Sequence, residues 1–288
     1  MPGKEGKIYY PVSLGEVLNI IRTYGTIPFF SGRMYPEIEG IPGTYYSLPH
    51  EIISLDQVEE LKKINRSETY IDCGSTVPFS ALFSKAGHIL PPIVIKTVKN
   101  SFNPARLCLT TPAGLIYSGC FPTPISLLFN VIDVSYEIRR LKMHRWRGLM
   151  AVNHWTYHNQ LFKNRKIELK EGDIVVRMRL PSNTWGKARI RRIQLGKDSL
   201  YLAMTADINR NYISNFRFSY ALEGGEIFRE RDREAHISGR NLDASSKEIE
   251  TLSKVAAEKL GYRDNEKLIR AIYNSLQIFL YQNNESGA

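Results

Sequence analysis

The chain has 288 residues, of which 43% are hydrophobic and 24% charged, a composition that excludes a disordered or fibrous protein. Its 39 lysines and arginines outnumber its 29 acidic residues, so the formal net charge of +10 favours an acidic partner: nucleic acid, a phosphate-bearing cofactor or an acidic protein surface. The spacing of Cys73, Cys108 and Cys120 fits no zinc or iron–sulfur motif. We therefore expect neither a cluster nor a structural zinc on this chain.

Targeting signals are not visible in the sequence. The N-terminal residues lack the apolar core of a signal peptide, and no stretch reaches the roughly 20 apolar residues of a transmembrane helix. We expect a soluble, cytoplasmic protein with no membrane partner.

The first predicted elements alternate between helix and strand. Ser13 and Glu16 form a capping box that begins a helix, and Gly25 ends it. The apolar run 26–30 then predicts a strand that ends in a glycine turn. Such alternation is typical of a fold in which helices pack on a sheet.

The next segment continues this alternation. A second capping box, Ser54 with Gln57, predicts a helix. Prolines begin the later helices. In order, the remaining elements of this part are a strand over 69–73, a helix from Pro78, a helical stretch over 92–102, a loop over 110–119, a short helix over 124–129, and strands over 131–138 and 173–180.

The pattern changes after residue 186. Three runs of alternating apolar and polar residues between 189 and 222 predict an antiparallel meander. Two helices follow, with Ser245 and Asp264 as their predicted N-caps. We place the domain boundary at this change of pattern, which gives an N-terminal domain over 1–181 and a C-terminal domain over 186–284.

Two glycine-bearing segments are candidates for binding a phosphate. Gly32 directly follows a predicted strand, and Gly114 lies among small residues, so free main-chain N–H groups could approach a pyrophosphate at either place. Neither segment is a GxGxxG motif. On local sequence alone, an ordinary glycine turn is the more common outcome for each, because strand-to-helix connections routinely use glycine.

Other polar groups point to a function less strongly, and the sequence contains no recognisable catalytic constellation. His154 and His158 are four residues apart, but a metal site needs a third ligand, and a surface pair is the more common outcome. The basic run 139–147, which includes Trp146, could grip nucleic acid or dock an acidic subunit. Basic runs most often decorate a surface, which makes nucleic acid an unlikely partner.

Taken in order, these segments resemble the FAD-binding medium subunits of molybdenum hydroxylases, the family of the carbon monoxide, nicotinate and xanthine dehydrogenase flavoproteins. The resemblance depends on the order and spacing of its segments across about 270 residues. They are YPVSLGEVLNIIRTYG, FFSGRMY, ISLDQVEELKKI, TYIDCGSTVPFSAL, TTPAGLIYSG, PISLLFNVIDVSYEI, GDIVVRMRLP and REAHISGRNLDASSKEIETLSKVAAEKL.

The resemblance implies an α+β fold. It consists of a two-part FAD-binding domain of the vanillyl-alcohol-oxidase/molybdopterin-dehydrogenase type, followed by a small domain of antiparallel sheet and helices. In this family, two glycine loops hold the FAD diphosphate by main-chain amides. The implied cofactor-binding residues are Phe30, Ser31, Gly32, Arg33, Met34, Tyr35, Thr111, Ala113 and Gly114.

Both loops depart from the family pattern. Arg33 and Met34 stand where the family has its second glycine and a threonine. Leu115 replaces an asparagine, and Phe121 and Pro122 occupy the region of a missing aspartate.

The function implied by the resemblance is electron transfer, with no catalytic residue and no metal on this chain. FAD would accept electrons from [2Fe-2S] clusters on a small subunit and pass them to NAD+ or another acceptor, while substrate is oxidised on a molybdopterin large subunit. A cofactor-free scaffold or accessory protein with the same fold is the alternative that agrees with the altered loops. A flavin reductase related to cell-wall precursor enzymes is a third possibility, against which the C-terminal domain argues.

Overall fold

A computed structural model describes residues 7–25, 29–30, 51–119, 121–144, 148–163, 166–170 and 172–282. The helices are α1 (Leu14–Tyr24), α2 (Phe79–Ala86), α3 (Pro92–Ser101), α4 (Pro104–Leu109), α5 (Pro112–Ser118), α6 (Thr123–Val131), α7 (His158–Leu161), α8 (Arg231–Ile237), α9 (Ser246–Lys259) and α10 (Glu266–Tyr281). The strands are β1 (Lys7–Tyr9), β2 (Phe29–Phe30), β3 (Glu51–Ser54), β4 (Ile64–Arg66), β5 (Tyr70–Gly74), β6 (Ser135–His144), β7 (Gly148–Tyr157), β8 (Phe162–Lys163), β9 (Lys166–Ile167), β10 (Ile174–Pro181), β11 (Lys187–Leu195), β12 (Asp198–Asn209), β13 (Tyr212–Leu222) and β14 (Phe228–Arg229).

The N-terminal part is a small parallel sheet in the order β1-β3-β2, with α1 packed against it. The predicted helix and its Ser13 cap are confirmed: the Glu16 N–H donates to Ser13 Oγ, and Gly25 ends the helix with a φ of 84°. The other half of the predicted capping box differs, because the Glu16 carboxylate accepts the Val12 N–H at 2.8 Å instead of the Ser13 N–H. The buried face of α1 consists of Leu14, Val17 and Ile21, which are spaced as one stripe of an amphipathic helix.

The helix predicted from the Ser54 capping box is wrong. Ser54 is the last residue of β3, and only a short 3-10 turn follows, at Glu59–Lys62. Val58 and Leu61 are buried in the same core as α1. Their spacing of three residues satisfies a 3-10 turn as well as an α-helix, which explains the misassignment.

The central sheet has five antiparallel strands in the order β4-β5-β10-β6-β7. Helices α2 to α6 cover one face of this sheet and share its largest apolar core, in which Phe79, Phe129 and Tyr136 are fully buried. The loop predicted over 110–119 is largely helical, since it contains α5. The strand predicted over 131–138 begins only at Ser135, because α6 continues to Val131.

The C-terminal part is a four-stranded antiparallel sheet in the order β11-β12-β13-β14, as the meander prediction requires. Helices α9 and α10 pack on one face of it and α6 packs on the other. Asn265, not Asp264, caps α10, because its Oδ1 accepts the Leu268 N–H. Ser245 precedes α9 but makes no side-chain cap, since its hydroxyl donates to the Leu242 carbonyl.

The central sheet ends at Pro181 and the C-terminal sheet begins at Lys187. Within the described ranges, no single helix has the length and apolar composition needed to cross a membrane. One bent pair, α5 with α6, meets that criterion only when the two helices are taken together.

Candidate cofactor site

The first predicted glycine loop begins at the end of β2. Phe29 and Phe30 form this strand and pair in parallel with β3. Ser31, Gly32, Arg33, Met34, Tyr35 and the side chain of Phe30 lie outside the described residues. The roles predicted for these six residues therefore stay predictions.

Helix α5, which carries the second predicted loop, lies beside β2. The rings of Phe29 and Tyr117 are 5.3 Å apart between centroids. The Tyr117 hydroxyl accepts the Val175 N–H from β10 at 2.9 Å, and burial raises the pKa of this phenol. Tyr117 thus fixes α5 between two sheets, and the structure brings the end of β2 close to the second loop.

Thr111 and the residues that follow it form the start of α5. Thr111 is the N-cap, and its Oγ1 accepts the Gly114 N–H at 3.0 Å. The Ala113 N–H donates to the Ser75 carbonyl at 2.8 Å, and the Leu115 N–H donates to the Thr111 carbonyl. Pro112, at the first helical position, has no N–H. All four donor positions from 112 to 115 are therefore occupied or absent.

This arrangement does not fit recognition of a diphosphate by the amides of the second loop. Such recognition needs free N–H groups that a phosphate oxygen can approach. Thr111, Ala113 and Gly114 are instead buried, and the side chain of Leu115, where the family has an asparagine, has no exposed surface. The N–H groups of residues 113 to 115 are hydrogen-bonded within the chain.

One buried donor beside α5 is left over. Ser75 is fully buried, and its hydroxyl has no hydrogen-bond partner among the described residues, although its carbonyl holds the Ala113 N–H. Sequence reasoning did not single out Ser75. Its position directly after β5, in the segment TYIDCGSTV, is the signal that could have drawn attention to it.

The two histidines considered as metal ligands have different environments. His158 is buried, with its Nε2 2.7 Å from Ser126 Oγ and its Nδ1 2.9 Å from the Tyr136 hydroxyl. Its ring stacks on Phe162, and burial lowers its pKa to about 3. His154 lies on β7 opposite Ile138. Across the described ranges, no group of three His, Cys, Asp or Glu side chains is placed to hold a metal.

The basic run lies on the hairpin of β6 and β7. Arg140 forms a bidentate ion pair with buried Asp173, and the Arg139 Nε donates to Asn153 Oδ1 at 2.8 Å. Lys142 is exposed. Residues 145–147 lie outside the described part of the chain. The Arg139 and Arg140 side chains therefore stabilise the hairpin and are not freely available to a partner.

Comparison with solved structures identifies the fold. A chain of quinoline 2-oxidoreductase from Pseudomonas putida 86 superposes with a TM-score of 0.67 at 15% identity, over 98% of both chains. A chain of carbon monoxide dehydrogenase from Hydrogenophaga pseudoflava gives 0.69 at 14% identity, again over 98% of both chains. A chain of reconstituted CO dehydrogenase from Oligotropha carboxidovorans gives 0.67 at 12% identity and the same coverage.

No protein-family model and no curated protein sequence matches the chain. The structural matches confirm the fold expected from the resemblance, that of the FAD-binding medium subunits of molybdenum hydroxylases. At this level of identity they show the fold alone.

Proposed function

We propose that this chain is an accessory subunit of an oxidoreductase complex of the molybdenum hydroxylase type, with the fold of the flavin subunit but without free amides for FAD in its second loop. The match to carbon monoxide dehydrogenase and quinoline 2-oxidoreductase chains supports the complex, since it extends over 98% of this chain. The proposed partners are an iron–sulfur small subunit and a molybdopterin large subunit. The proposed location is the cytoplasm.

The cofactor part of this proposal depends on one observation: the N–H groups at the start of α5 are hydrogen-bonded within the chain or absent. If the diphosphate were held between the two predicted loops, the second loop would have to supply free amides. The Gly114 N–H is instead held by Thr111, the Ala113 N–H is held by Ser75, and Pro112 supplies none. Of the two roles considered for this fold, these contacts favour the cofactor-free scaffold.

An FAD-bound electron-transfer subunit is the second candidate. The buried hydroxyl of Ser75 favours it, because a buried polar group without a partner is rare and a bound phosphate would satisfy it. In that role FAD would exchange electrons between the partner clusters and NAD+ or another acceptor. The flavin contact would then require Ser75 and the Ser31–Tyr35 segment.

The test is to purify the tagged chain from its natural host. We expect iron and molybdenum to co-purify with it in amounts comparable to the chain, and flavin to be far below one equivalent. Purification of the chain without either metal would overturn the assignment to such a complex. Flavin at one equivalent, reduced by Ser75→Ala but not by the exposed-site control Gly15→Ala, would establish the second candidate.

The exposed part of the basic hairpin offers a second readout of assembly. Lys142 makes no ion pair among the described residues, so Lys142→Glu changes a surface charge without disturbing the Arg140–Asp173 pair. If this hairpin contacts an acidic subunit, the variant should lose metal more readily as salt is raised. Lys197→Glu, in the turn between β11 and β12, is the matched control.

A further inference from the structure

We infer that the cleft between α3, β11 and the end of α10 binds a small anion that carries a flat ring. This site goes beyond the function proposed above, because none of its lining residues belongs to the predicted cofactor loops. This α3–β11 cleft lies between those elements, and Trp185 forms part of its lining. Its volume is about 600 Å³, which lies within the roughly 300–1,000 Å³ typical of small-molecule sites.

Four of the residues that line the α3–β11 cleft are apolar or aromatic and belong to the packed structure. Ile93 and Ile190 line it and pack against the central core, while Phe279 lines it from α10 and is 4% exposed. Trp185 forms a further wall and also packs on the central core. An indole supported in this way can offer a flat surface to a ring, since aromatic groups gain from stacked contact.

The charges that line the cleft have a single sign. Lys96 projects from α3 and Arg189 from β11, and no aspartate or glutamate lines the cleft among the described residues. Neither cation has an ion-pair partner in the described part of the chain. Two free cations beside apolar walls attract an anion, and a guanidinium matches the geometry of a carboxylate or phosphate.

A third cation, Lys187, lies two residues before Arg189 on β11 and outside the cleft lining. The Lys187 ammonium donates to the carbonyls of Leu280 and Gln282 at 2.5 and 2.8 Å, at the end of α10. Its pKa is lowered, first by burial and then by the positive charge of Arg189. An anion bound at Arg189 would offset that repulsion.

A second groove, at the end of β7 and β10, shows why the charge pattern matters. This groove is of similar size, about 690 Å³, and it also contains aromatic side chains. Its lining carries Arg179 and Arg217 together with Asp133 and Asp207, so positive and negative charges balance. Of these two grooves, the α3–β11 cleft is the one that combines an aromatic wall with uncompensated positive charge.

Two amide side chains at the cleft further define the expected ligand. Asn100 and Gln282 line the cleft and offer amide donors and acceptors that can orient a ring substituent. The ligand is thus an aryl or heteroaryl phosphate or carboxylate.

Titration calorimetry on the purified full chain tests this inference, with phenyl phosphate as the probe and inorganic phosphate and phenol as its two halves. We expect phenyl phosphate to bind more tightly than either half. Lys96→Gln and Arg189→Gln should each weaken its binding about tenfold, as expected for loss of a charge-assisted hydrogen bond. Trp185→Leu should weaken phenyl phosphate more than inorganic phosphate.

Matched controls use cations on the same elements outside the cleft. Lys99→Gln on α3 and Arg191→Gln on β11 should leave the affinity for phenyl phosphate unchanged within about twofold. Equal affinity of the Lys96→Gln, Arg189→Gln double variant and the wild type would overturn the site, as would binding of phenol as tight as that of phenyl phosphate. Binding of an acidic peptide but not of phenyl phosphate would show a protein-docking surface instead. Each of these outcomes leaves the proposed complex untouched.

Discussion

His158 is buried and neutral, and this has a consequence for stability as the pH falls. Burial lowers its pKa to about 3 in the folded chain, below the value of 6.5 for a free histidine. Below about pH 6.5 the unfolded chain therefore binds a proton at this residue, whereas the folded chain does not. The contribution of neutral His158 to the free energy of unfolding is present above pH 6.5 and is lost as the pH falls towards 3. Between pH 7 and pH 5 this residue should remove about 2 kcal/mol from the free energy of unfolding.

Urea unfolding of the wild type and His158→Gln at the two pH values measures this effect. The variant should be less stable at pH 7, because Ser126 and Tyr136 lose their partner, but its stability should depend less on pH. His88→Gln, at an exposed site, should keep the pH dependence of the wild type. If the free energy of unfolding fell by the same amount between pH 7 and pH 5 in the wild type and in His158→Gln, this assignment would be contradicted.

Gly74 ends β5 where another part of the main chain passes very close. A Cβ at this position would lie 2.1 Å from the Leu61 carbonyl oxygen and 2.5 Å from its carbon. Because backbone cannot move aside as a side chain can, Gly74→Ala should lower the free energy of unfolding by about 1–3 kcal/mol. Gly15→Ala in α1 has only Ser13 Oγ nearby, at 3.8 Å, and should raise it by about 0.5–1 kcal/mol. Chemical denaturation of both variants checks the pair, and equal stabilities would refute the steric argument.

At the scale of elements, the turn between α6 and β6 ties the central sheet to the C-terminal part. Asp133, with a φ of 56°, accepts hydrogen bonds from Arg217 on β13, Arg229 on β14 and Arg231 at the start of α8, at 2.8, 2.6 and 2.9 Å. Arg229 is 7% exposed and also pairs with Glu234. The Asp133 carboxylate therefore connects β13, β14 and α8 of the C-terminal part to the turn between α6 and β6.

Asp133→Asn should reduce the free energy of unfolding by about 1–3 kcal/mol, because buried Arg229 loses one of its two charged partners. Asparagine tolerates the left-handed backbone, so the change isolates the charge. Denaturant unfolding measures the effect, and Asp198→Asn, at an exposed strand end, is its control. Equal stability of Asp133→Asn and the wild type would show that the cluster contributes nothing.

The elements that the sequence predicted correctly are those with strong local signals. The Ser13 cap and Gly25 delimit α1, and the alternation between 189 and 222 matches the meander of β11, β12 and β13. The errors have tertiary causes. Gly114 suggested a turn, but it lies inside α5, where Thr111 and Pro112 supply the signals of a helix start. The β-branched Val131 suggested a strand, but it is buried at the end of α6, which packs on β12 and β13.

For the whole molecule, the order of weakly matching segments was enough to predict the fold, because these segments come from the N-terminal sheet, the central sheet and the C-terminal part alike. The state of the candidate site could not be predicted in the same way. Whether the Ala113 N–H is free depends on Ser75, which is distant in sequence and reaches α5 only through the packing of β5. The α3–β11 cleft was missed for the same reason, because Lys96, Trp185 and Arg189 carry no common motif.

The absorbance spectrum of the purified chain, recorded after incubation with FAD and removal of free cofactor, tests the central claim most directly. With the amides of α5 occupied, we predict no retained flavin bands. Retention of one equivalent of FAD, abolished by Gly114→Val through added bulk at α5 and unaffected by Gly15→Ala, would show that the second loop opens to hold the diphosphate and would contradict the account.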